Sequence, residues 1–158
     1  MAHGSRFGLI IALLTFVLAG DAFAQTPDAN PLARVKSLKC SFTIFSTVKW
    51  KSGAPEPEIK QAQLSLDIDE IDTDSGTARV TGTSGPVHVT ALLTVSSLHF
   101  MERSVTGTLN LTTVFVGEAG AQKLRAVHAR HDYLPMSIPG FVSEPTVSQN
   151  YGTCVAGI

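Results

Sequence analysis

The chain has 158 residues, 44% of them hydrophobic, with 12 lysines and arginines against 13 aspartates and glutamates and a net charge of −1. A chain of this length suits one domain. The balanced charge argues against nucleic acid or an anionic membrane as partner, since both select a basic excess.

The first residues read as an export signal. Arg6 precedes the apolar run Phe7 to Ala19, and the polar break Gly20-Asp21 and the small-x-small triplet Ala22-Phe23-Ala24 follow. That order is a signal peptide over residues 1–24, cut after Ala24. The apolar run is shorter than the about 20 residues a membrane helix needs. The mature chain from Gln25 is therefore expected to be secreted or periplasmic, with no stable membrane insertion after cleavage. Its two cysteines, Cys40 and Cys154, then lie in an oxidising compartment and are expected to form one disulfide.

Residues 25–39 read as an N-terminal extension. Asn30 as a cap and Pro31 at the first helical position predict a short helix, in which Leu32, Val35 and Leu38 recur every third residue. From Cys40 the period changes to two. Cys40, Phe42, Ile44, Val48 and Trp50 share one parity, and Ser41, Thr43, Thr47 and Lys49 the other, which predicts a half-buried strand with the first set on the core. Lys51 to Pro57 reads as a loop, because no central strand could contain Pro55 and Pro57.

In the next strand Ala62, Leu64, Leu66 and Ile68 alternate with Gln61, Gln63, Ser65, Asp67 and Asp69. Asp72 to Gly76 is turn chemistry, and Thr77 to Thr81 returns with Ala78 and Val80 inward. After a turn at Gly82–Pro86, Val87, Val89, Ala91, Leu93 and Val95 share the core face. Leu98 to Arg103 follows, and then Thr108 to Val116, with Leu109, Leu111 and Phe115 on one face. Gln122 to Tyr133 and Thr146 to Val155 complete the set.

About eight short strands with tight connections must be antiparallel to their neighbours. A disulfide holds its α-carbons about 4.4–6.8 Å apart, so Cys40 and Cys154 bring the first and last strands together. The expected fold is an all-β, up-and-down antiparallel barrel over residues 40–158, with a β-sandwich as the alternative. An immunoglobulin-like sandwich fits poorly, because only Val-Ala-Gly-Ile follows Cys154. The outline is calycin-like, but the Gly-x-Trp of lipocalins is missing, since Val48-Lys49 precede Trp50. That likeness is one of architecture and implies no activity.

Chemistry is sparse. His99 and His128, with Asp132 or Glu102, form a weak candidate metal set, while His128 and His131 point to opposite faces of their strand. Asp67, Asp69, Glu70, Asp72 and Asp74 space carboxylates as a calcium loop does, but without the EF-hand glycine and glutamate, and such residues also build turns. Gly82-Thr-Ser-Gly85 is one residue short of a nucleophile elbow. Asn110-Leu-Thr112 matches the N-glycosylation acceptor but lies within a strand. No catalytic residue and no cofactor site stands out.

The segment with most bearing on function is Leu134 to Val142. Leu134, Met136, Ile138 and Phe141 crowd a loop stiffened by Pro135 and Pro139, which suits a plug under the barrel better than a portal for a hydrophobic partner. The expected function is a non-enzymatic binding or interaction module, its partner a small apolar ligand or a protein. A carrier of a small apolar ligand and a histidine-dependent, metal-assisted enzyme are the alternatives.

Overall fold

A computed structural model describes residues 30–118, 121–133 and 145–157. The expectations for the signal peptide and for Leu134, Met136, Ile138 and Phe141 fall outside these residues. Eight strands form one antiparallel sheet: β1 (Ser37–Lys51), β2 (Ala54–Asp72), β3 (Thr77–Gly82), β4 (Gly85–Leu93), β5 (Ser97–Arg103), β6 (Leu109–Phe115), β7 (Leu124–Asp132) and β8 (Thr146–Gly157). Each strand lies beside the next and β8 pairs with β1, so the sheet closes as an up-and-down barrel.

The seam carries the disulfide. Cys40 and Cys154 face each other in the β1–β8 ladder and are bonded, with α-carbons 4.0 Å apart. Inward side chains from every strand make one core, which includes Leu38, Phe42, Leu66, Ile68, Val80, Val89, Ala91, Leu98, Phe100, Val114 and Ala126. Phe42, Leu98, Val114 and Cys154 expose nothing, so the middle of the barrel is filled by its own side chains. One end is closed by a single 3₁₀ turn, Pro31–Arg34, in place of the expected longer helix. The Asn30 Oδ1 accepts from the Leu32 N–H (2.9 Å), while its Nδ2 donates to the Thr94 carbonyl (2.6 Å). Leu32 and Val35 are thereby buried over the barrel end.

Three local readings are corrected. First, β1 does not keep one parity. Its register slips against both neighbours between Phe42 and Ile44, and such a bulge sends later side chains to the opposite face. Thr47 is therefore buried at 7% exposure, while Val48 and Trp50 stand outside at 39% and 43%. Gly152 opposes Phe42 here. A Cβ on it would lie 2.0 Å from the Ser41 carbonyl oxygen, so only glycine permits this approach.

Second, Lys51 to Pro57 is not a loop. The turn is Ser52–Gly53 alone, and Pro55 and Pro57 lie in β2 where β1 is its only neighbour among the described residues, the edge position that proline tolerates. Third, β4 ends at Leu93. Thr94 donates its backbone N–H to the Ser97 carbonyl and closes a turn, which leaves Val95 fully outside the core.

Candidate functional site

Away from the 3₁₀ turn the interior changes from apolar to polar. Strand registers place Phe100, Thr112, His128, Asn150, Phe45 and Lys60 in one transverse row, and Glu102, Asn110, Arg130, Ser148, Thr47 and Glu58 in the next. Several of these side chains are hydrogen-bonded. Thr112 Oγ1 meets His128 Nδ1 at 2.9 Å, Thr47 Oγ1 donates to the Val147 carbonyl, and Asn110 Nδ2 donates to Glu102 Oε2 at 3.0 Å. That last bond fixes the Asn110 amide and leaves its Oδ1 buried without a donor among the described residues. An inward, hydrogen-bonded Asn110 is no glycan acceptor.

Burial holds the His128 imidazole below the ordinary histidine value, against an upward pull from Glu102 and with a further lowering by Arg130. The native state therefore resists protonation that the unfolded chain accepts near pH 6.5. The stability this confers is whole above about that pH and falls away as pH drops through the depressed native value. Between pH 7.5 and 5.5 the melting temperature should fall, and His128→Gln should flatten that slope. An unchanged slope in the variant would assign it elsewhere.

The sequence's metal set is not assembled. His99 faces outward from β5, with Nε2 2.8 Å from Ser97 Oγ and Nδ1 3.0 Å from Thr113 Oγ1. His128 faces inward from β7, so the sheet separates them. Residue parity within each strand decides this, and it could not be assigned between strands from sequence. Asp132 is engaged by Arg130 (2.8 Å) and Thr108 (3.1 Å), and the Arg130 guanidinium holds its carboxyl below the usual range. Among the described residues no three His, Cys, Asp or Glu side chains are placed to hold an ion.

The acidic run is used locally: Asp72 Oδ1 accepts from the Asp74 and Ser75 N–H groups, and Arg79 bridges Asp69 and Glu70. Ser97 has the histidine neighbour that a nucleophile needs, a pairing the sequence reading missed. At 5% exposure and in contact with Thr94 Oγ1 (2.8 Å), however, it ties the β4–β5 turn together.

The outer wall is the less expected surface. On β6 it is Thr112 and Val114 that are buried, so Leu109, Leu111 and Phe115 form the outward face. A groove of about 570 Å³ there is lined by Phe115, Val127 and Tyr151, with Arg125 beside them. A second, of about 630 Å³, is lined by His88, Met101, Arg103 and Leu109. Phe115, Tyr151 and Met101 are 40%, 41% and 46% exposed, and Leu92, Val147 and Val155 continue the apolar outer surface. Where β2 pairs with β3, the outer face presents Asp67, Asp69 and Arg79. Exposed apolar side chains also stand on β1 and β2, at Val48, Trp50 and Ile59. Among the described residues no helix is long and apolar enough to cross a membrane. Comparison with known proteins finds no family model that matches the chain and no match among curated proteins.

Proposed function

We propose that this barrel is a non-enzymatic interaction module, exported to an oxidising compartment, that binds an apolar partner surface through the outer wall of β5 to β8. The observation that carries this reading is the contrast between the two faces of that wall. Inside, Leu98, Val114 and Cys154 are fully buried; outside, Phe115, Val127 and Tyr151 line a groove open to solvent. Apolar side chains gathered around a groove open to solvent mark contact surfaces. A carrier needs a vacant interior, which the packed core does not favour. The metal-assisted alternative loses its basis with His99 and His128 on opposite sides of the sheet. The disulfide suits secreted or periplasmic residence.

The test removes outward apolar groups without touching the core. Phe115→Ser combined with Tyr151→Ser should leave stability within about 0.5 kcal/mol per substitution, as surface changes do. The same variant should lose most of the fluorescence enhancement of bis-ANS. Undiminished dye binding would sink the proposal.

A further inference from the structure

The outer wall of β5 to β8 is sorted by charge as well as by polarity. From Ser97 to Gly157 the acids among the described residues are Glu102, Glu118 and Asp132. Glu102 turns inward to Asn110, Asp132 is held by Arg130 and Thr108, and Glu118 lies in the β6–β7 connection. The outward positions of the four strands therefore carry no acid. They do carry Arg103 and Arg125, both exposed. Among the described residues neither of these arginines forms an ion pair.

The two arginines stand at opposite ends of one row. Leu109, Leu111, Thr113 and Phe115 are the outward residues of β6. Arg103 faces Leu109 across the β5–β6 ladder, and with Met101 both line one groove. Arg125 lines the other groove together with Phe115. Each groove thus joins apolar side chains to one arginine, and no acid lines either of them. From Leu109 to Phe115 the strand advances six residues, about 20 Å at the usual rise.

We infer, resting on the interaction-module reading, that the occupant of this wall is an acidic and apolar segment of a partner protein. It places two carboxylates about 20 Å apart on Arg103 and Arg125, with apolar side chains along β6 between them. A partner with no acid would strip water from two guanidinium groups and return no counter-charge, which is costly. A single-chain amphiphile has one anionic head and serves one arginine, leaving its distant counterpart unmatched. An anionic bilayer gains little from a chain whose net charge is −1. Complementary charge at the rim of an apolar contact fixes register and steers encounter, and the two arginines supply it here.

The test uses a seven-residue peptide, blocked at both termini, with glutamate at each end, leucine at its third and fifth positions and threonine between. In an extended chain these glutamates and leucines share one face, and the glutamates lie about 20 Å apart. Fluorescence anisotropy with the barrel, residues 25–158, should show it binding about fivefold tighter at low salt than the same peptide with glutamine ends. In about 1 M salt the difference should vanish. Arg103→Gln with Arg125→Gln should abolish the preference and leave binding of the glutamine peptide unchanged. Equal binding of the two peptides would overturn the inference and leave the interaction-module reading in place. A preference that survives the double variant would overturn it too. So would cosedimentation with phosphatidylglycerol vesicles that the double variant loses, which would assign the wall to a membrane. Failure of both peptides to bind would also overturn it, while bis-ANS binding tests the module reading by itself.

Discussion

Cys154→Ser should lower the stability of the barrel by about 2–5 kcal/mol, the usual cost of losing a native bridge from a small disulfide-bonded domain. Two effects add. The bridge spans 114 positions, so its loss frees nearly the whole unfolded chain, and chain-entropy estimates for a loop of that order are about 4–5 kcal/mol. Cys154 also exposes none of its surface, so a serine hydroxyl there lacks water and adds the penalty of a buried unpaired group. The bond joins β1 to β8, the two strands that close the ring, and the loss is thus felt at the seam. Urea unfolding should show an earlier midpoint at a similar slope. Unaltered stability, or free-thiol labelling of both cysteines in protein purified without reductant, would contradict the account.

Leu66→Asp should leave no stably folded population, whereas its neighbour Asp67→Asn should change stability by about 0.5 kcal/mol or less. Leu66 is 6% exposed and faces Cys40 across the β1–β2 ladder, within the core cluster. A carboxylate there has no cation to pair with among the core residues. Asp67 points to solvent from the next position. Circular dichroism melts of the two variants make the comparison. Equal effects at both positions would show that the wall is turned the other way.

The same pair of residues shows what a sequence can reveal. Strict alternation from Ala62 to Ile68 identifies the faces of β2, and Cys40 and Cys154 at the two extremes of the strand set imply closure. Both inferences rest on patterns that are local or covalent. In β1, by contrast, the parity of Phe42 does not carry through to Val48. The slip depends on how β8 and β2 register on either side, and no residue in β1 announces it. On β6 the alternation separates Leu109, Leu111 and Phe115 from Thr112 and Val114 correctly, but it does not say which set turns inward. The apolar outer wall was therefore hidden in a pattern that reads equally well as core. The separation of His99 from His128 was hidden for the same reason, since it depends on the relative parity of two strands. Asn30 and Pro31 announced a helix start, but the next strand begins at Ser37 and leaves room only for a single turn.

The most direct measurement is a backbone amide NMR titration of the barrel, residues 25–158, with bis-ANS. The outer-wall account predicts shifts gathered at Phe115, Arg125, Val127 and Tyr151, with Phe42, Leu98, Phe100 and Val114 unmoved. Shifts at those four core residues, with the outer wall silent, would place the ligand inside the barrel and contradict it.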